Sequence, residues 1–182
     1  MKASFGFGVF TVSLAALLAL LLAWALGLRM NLSASIAPGI YQLEAGAPTR
    51  GTVVLACLPR MVAAFGRRRG YIPRGSCDDG NAPVGKTVVA VAGDTVVVDS
   101  DAVRVNGRTL TRSRPLRADA RGRALSPKPA GEYVLHVGEI WLLSTYSPHS
   151  FDSRYYGAIP TSRVVSRMRR IENIGELALL RR

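Results

Sequence analysis

Hydrophobic and polar positions change character once along this chain, near residue 30. Before that point, residues 3–28 carry no charged side chain and are dense in Leu, Ala and Phe. As a helix this run measures about 39 Å at 1.5 Å per residue, enough to cross a ~30 Å hydrocarbon core with tilt. Lys2 and Arg29 flank it. The pattern predicts an N-terminal membrane anchor over residues 1–30, followed by one domain over residues 31–182. A cleaved secretory signal peptide competes, because Ala23-Trp24-Ala25 has the small-x-small form of a cleavage site. Its apolar core would be long, since about 7–15 residues are usual. Both readings export the remainder of the chain.

From Asn31 onward the runs shorten and become β-like. Thr52–Cys57, Lys86–Val91, Thr95–Val98, Ala102–Val105, Tyr133–Val137, Ile140–Leu143 and Val164–Ile171 are strand candidates rich in β-branched residues. Gly93-Asp94 and Asn106-Gly107 are turn signals, the latter suited to a tight hairpin. A helical period is found in Met61–Arg68 and in a final turn over Glu172–Leu180. The Arg-, Pro-, Ala- and Gly-rich segment Arg112–Gly131 is expected to be a long surface loop. The fold class is therefore mostly antiparallel β behind one transmembrane helix.

Composition narrows the function. At 182 residues with 48% hydrophobic content, the chain is neither a large multidomain enzyme nor a disordered one. The formal net charge of +12 suggests nucleic acid or an anionic membrane as a partner. Arg67-Arg68-Arg69 and Arg167, Arg169 and Arg170 are its clusters, each readable as a solvated face or as a contact with an anionic leaflet. Of the 24 basic residues only Lys2, Lys86 and Lys128 are lysines. The two histidines, His136 and His149, have no ligands at metal spacing, and neither a phosphate-binding loop nor a dinucleotide fingerprint occurs. No metal or cofactor is expected.

Serine, lysine and aspartate remain. Asn31–Tyr41 contains Ser33 and Ser35 ahead of Pro38-Gly39, and by itself reads as a polar linker. Lys86 opens an apolar strand, where a lysine is usually a snorkelling edge charge. Ser150–Pro160 packs Asp152, Arg154, Tyr155 and Tyr156 into a short polar-aromatic loop. In this order the three stretches resemble type I signal peptidases, and most of all their conjugative-transfer branch, the TraF-like signal peptidases. Ser35-Ile36-Ala37-Pro38 followed by Gly39-Ile40-Tyr41 resembles the nucleophile motif. Lys86-Thr87-Val88-Val89 through Gly93-Asp94 resembles the general-base box, and Asp152–Gly157 the last box. Cys57, Pro59, Arg69-Gly70-Tyr71 and Cys77 are similar to a feature of the conjugative branch. Ala37 is an insertion relative to that branch, and Thr87 replaces a larger residue.

The resemblance implies a signal-peptidase-like catalytic domain in which Ser35 is the nucleophile and Lys86 the general base. Residue chemistry agrees: Lys2 lies across the membrane segment, Lys128 sits between two prolines, and guanidinium does not deprotonate in proteins. By the same carry-over, the Ser33 hydroxyl and Ser35 N–H form the oxyanion hole, Ser150 hydrogen-bonds the lysine, and Asp152 with Arg154 braces the loop. The role of Asp152 stays open between bracing and catalysis. A Ser-His-Asp triad through His149 is the rival arrangement. Export of the domain favours a Cys57–Cys77 disulfide. The implied function is a serine endopeptidase of the bacterial inner membrane, single-pass, with its domain on the periplasmic side. Its substrate would be an exported precursor, conjugative pilin in particular, with ring closure of the product in some members. A housekeeping signal peptidase is the near alternative. A non-enzymatic membrane-tethered β-domain of a secretion complex is the distant one. No nucleic acid partner is expected.

Overall fold

A computed structural model describes residues 2–172. The turn expected over Glu172–Leu180 falls, past its first residue, outside them. Helix α1 runs over Lys2–Ala25. Its window Gly8–Ala25 has a mean hydropathy of 2.2 and none of it is buried against the rest of the chain. A helix apolar on all sides and packed on nothing is suited to a bilayer or to a signal sequence. Gly27, at a φ of +79°, turns the chain out of this helix with its N–H on the Trp24 carbonyl, a conformation that a side chain disfavours. The Arg29 guanidinium donates to the Trp24 carbonyl at 2.9 Å and lies over the indole, so a cation covers an otherwise open helix end.

Eleven strands follow: β1 (Leu28–Asn31), β2 (Gly39–Glu44), β3 (Val53–Ala56), β4 (Val84–Val91), β5 (Thr95–Val98), β6 (Val103–Val105), β7 (Arg108–Thr109), β8 (Gly131–Val134), β9 (Glu139–Leu143), β10 (Ile159–Pro160) and β11 (Val164–Arg170). Helices α2 (Arg60–Arg68) and α3 (Ser153–Tyr156) interrupt them. One sheet has the order β1-β2-β11-β3-β4-β9-β10 and the other β7-β6-β5-β8. The paired strands are antiparallel. The fold is mostly β, as the sequence pattern predicts. The anchor boundary expected after residue 30 lies inside β1, because the sheet begins directly after Gly27.

Strand β9 explains why its sequence is continuously apolar. Ile140 and Leu142 enter one core with Val54, Val88 and Leu58. Trp141 and Leu143 enter the other with Val96, Val98 and Val103. A strand buried on both faces has no polar alternation to show. Strand β4 reaches both cores as well, through a register shift between Val88 and Ala90 opposite β9. Gly93-Asp94 does not close a hairpin between β4 and β5. It carries the chain from one sheet to the other, and the Asp94 carboxylate accepts from Val91 N–H and Asn106 Nδ2 and pairs with Arg50.

Two loops are more ordered than their composition suggests. Arg112–Gly131 buries Ser113, Pro115 and Leu125. Asp119, within it, accepts from the Tyr71 hydroxyl at 2.5 Å and from Arg123 Nε at 2.7 Å. The segment expected as an exposed loop is thus strapped across the domain. Residues Ser153–Tyr156, expected within a loop, form α3 because the Asp152 carboxylate accepts from the Arg154 N–H at 3.2 Å.

Cys57 and Cys77 are joined in a disulfide across 20 residues. The closed loop holds α2 together with Tyr71 and Ile72. Reducing this bond is expected to remove about 3 kcal/mol of stability by the chain-entropy model. Urea unfolding with and without reductant measures it, and an unchanged midpoint would refute the expectation.

Candidate active site

The β1–β2 hairpin places Ser35. Asn31 and Gly39 pair at its mouth, leaving a seven-residue excursion, 32–38, over the sheet. Ile36 anchors that excursion by packing with Tyr41 and Met168, and the Tyr41 hydroxyl donates to the Ala37 carbonyl at 2.7 Å. Burying Ile36 leaves the side chain before it, Ser35, only partly covered. Strand β4 brings Lys86 underneath. Gly85 permits the approach: a Cβ there would stand 3.2 Å from Ile36 Cδ1, tight enough to push the turn away.

Lys86 Nζ donates to Ser35 Oγ at 2.7 Å across 51 residues of sequence. Lys86 is 3% exposed, so the snorkelling reading of this lysine fails. Burial lowers its pKa from 10.5 to about 8; the nearby Asp152 carboxylate opposes that shift and the Arg154 guanidinium adds to it. An amine in this condition is partly neutral near physiological pH and can accept a proton from a hydroxyl beside it.

Asp152 and Arg154 are both fully buried. The guanidinium grips the carboxylate with two bonds of 2.8 Å. It also donates to the Pro148, Arg114 and Ser150 carbonyls at 2.9, 3.1 and 3.0 Å. The carboxylate accepts in addition from Ser144 N–H at 3.1 Å. This pair therefore ties the loop after β9, the 112–114 segment and α3 into one block next to Lys86. With both carboxylate oxygens engaged and His149 exposed, the histidine triad is not assembled.

Ser150 is buried close to this pair, yet its hydroxyl makes no hydrogen bond. The bond expected from it to Lys86 is absent from this arrangement. Ser33 is exposed, and its hydroxyl donates to Asn31 Oδ1 at 2.7 Å. The Ser35 N–H has no acceptor among the described residues, as an oxyanion donor requires. Ser33, Ser35, Lys86 and Ser150 line one cleft of about 780 Å³. Its walls are apolar: Ile36, Leu55 and Met168 face Tyr71, Ile72 and Phe151. The disulfide-closed segment supplies Tyr71 and Ile72, and the Asp119 strap holds Tyr71 by its hydroxyl.

Asn31, Gly85 and the Tyr71–Asp119 bond carry no signal in composition or periodicity. Asn31 stands four residues before Ser35, which could have drawn attention to it. The other two depend on distant segments meeting.

A family model described as signal peptidase, peptidase S26, matches residues 5–171. A plasmid transfer protein TraF from Escherichia coli is 39% identical over 158 residues, covering 86% of this chain and 89% of the relative. A probable conjugal transfer protein TraF from Sinorhizobium fredii is 35% identical, over 87% of this chain and 84% of its own. Among solved structures, a signal peptidase I from Enterococcus faecalis covers 66% of this chain and 96% of its own, with 19% identity and a TM-score of 0.38.

Proposed function

Because this chain belongs to the signal peptidase family, peptidase S26, we propose that it is a membrane-anchored serine endopeptidase in which Ser35 and Lys86 cleave exported precursors, conjugative pilin in particular. The 2.7 Å contact between Lys86 Nζ and Ser35 Oγ in a buried setting carries this reading. The names of the TraF relatives supply the conjugative context. The disulfide favours an oxidising compartment, hence a catalytic domain on the periplasmic side with α1 in the inner membrane.

The neutral amine of Lys86 takes the Ser35 proton as the hydroxyl oxygen attacks the scissile carbonyl. Negative charge develops on the carbonyl oxygen, where the Ser35 N–H and the Ser33 hydroxyl are positioned to donate, the latter after leaving Asn31. The ammonium returns the proton to the leaving amine. Water then attacks the acyl-enzyme with Lys86 again as base. Arg154 and Asp152 hold the neighbouring loop, and the apolar cleft accepts small or apolar side chains beside the scissile bond.

Co-expression with a pilin precursor tests this. The wild-type chain should yield the mature mass and Ser35→Ala only the precursor. Cleavage by Ser35→Ala would refute the nucleophile. Processing of ordinary secretory precursors with pilin left intact would replace the conjugative substrate by a housekeeping one.

A further inference from the structure

The side-chain amide of Asn31 is the hub of the turn that bears Ser35. Its Nδ2 lies 3.1 Å from the Ser33 carbonyl, 3.1 Å from that of Ile36 and 3.2 Å from that of Ala37. Its Oδ1 accepts from the Ser33 N–H at 3.2 Å and from the Ser33 hydroxyl at 2.7 Å. One side chain thus holds backbone groups on both sides of Ser35 and fixes the resting direction of the Ser33 hydroxyl. The turn has no regular backbone ladder to do this, because β1 and β2 stop pairing at Asn31 and Gly39. Only an amide offers both donors and an acceptor on a stem this short; a carboxylate of the same shape has no N–H for the three carbonyls.

We propose that Asn31 is a positioning residue for the reaction, holding the Ser35 turn in its attacking geometry and the Ser33 hydroxyl where it can switch to the oxyanion. This rests on the serine-lysine reading above. A hydroxyl kept at one rotamer by a neutral acceptor can rotate to a charged one as charge develops, because the charge-assisted bond is stronger. Loss of the clamp lets the turn wander, and displacement of about 1 Å at a reacting atom can lower rate by about 100-fold. Substrate contacts in the cleft do not involve Asn31's clamp, so the effect falls on kcat more than on KM.

The test measures kcat and KM on a precursor for Asn31→Ala, Ser33→Ala and their double variant, with thermal unfolding of each. Asn31→Ala is expected to lower kcat by about 10- to 100-fold with KM within about twofold and Tm close to wild type. In the Ser33→Ala background the same change should cost distinctly less, since part of its effect runs through that hydroxyl. Wild-type kcat in a folded Asn31→Ala overturns the proposal, as does full additivity with Ser33→Ala. If Asn31→Ala does not fold, Asn31→Asp decides: a folded variant with reduced kcat supports positioning. A folded Asn31→Asp at full rate, or its failure to fold, overturns it. Cleavage that survives Ser35→Ala would instead sink the underlying reading, so the two failures are distinct.

Discussion

Lys86→Arg is expected to abolish precursor cleavage, by at least about 10³-fold in kcat, with the chain still anchored and folded. The charge is retained, so loss of activity would isolate the one property arginine lacks, a neutral form. Geometry adds to it: a guanidinium is planar and longer, and the space beneath Ser35 was shaped for one ammonium. The pH profile of the wild-type protein is the companion measurement. With its pKa lowered to about 8, Lys86 is neutral in about one molecule in ten at pH 7. The rate kcat/KM should rise about tenfold per pH unit below that value and level off above it.

Stability must move the same way. The folded pKa lies below the unfolded value of 10.5, so between about pH 8 and 10.5 the unfolded chain binds the extra proton and stability increases with pH. Below pH 8 the folded protein bears a buried ammonium and the penalty is constant, of order 3 kcal/mol. Lys86→Met should remove both the pH slope and the penalty, giving an inactive but more stable protein. An acid-side rate profile that is flat down to pH 6, or a functional Lys86→Arg, would be incompatible with lysine as the base.

Arg154→Ala is expected to destabilise the domain by about 3–5 kcal/mol, enough to consume much of the stability of an ordinary small domain. The change leaves the Asp152 carboxylate buried beside only a backbone N–H, and strips donors from the Pro148, Arg114 and Ser150 carbonyls. Arg154→Lys keeps one charge but not the fork that spans these acceptors, and should fall between. Urea denaturation of the three proteins ranks them. A wild-type midpoint for Arg154→Ala would mean the block around α3 is held by something else. Where the variant stays folded, its rate profile should move to higher pH, because Asp152 favours the ammonium of Lys86 and Arg154 opposes it.

Much of the molecule is decided by residue type and local order. Residues 3–28 lack charge, so a helix of that length has no face to present to water, and α1 follows. β-branched runs with turn signals between them could only be a β-domain. Lys86 is singled out by elimination, since neither arginine nor a proline-bound or trans-membrane lysine can serve as a neutral base. These conclusions need no partner to be known, because they follow from what each segment cannot do in water, in lipid or in a proton transfer.

The rest depended on which distant segments meet. Nothing local distinguishes Gly93-Asp94 as a passage between two sheets from the same pair closing a hairpin. Lys86 at a strand mouth could have snorkelled; pairing of β4 between β3 and β9 buried it instead. Arg154 could have been a solvated charge until the 112–114 segment, some 40 residues earlier, covered it. Asn31 became a clamp only when the hairpin closed around it. Burial, and with it the shifted pKa and the bidentate pair, belongs to the packed arrangement: desolvation acts on a charge only when other segments have displaced the water around it.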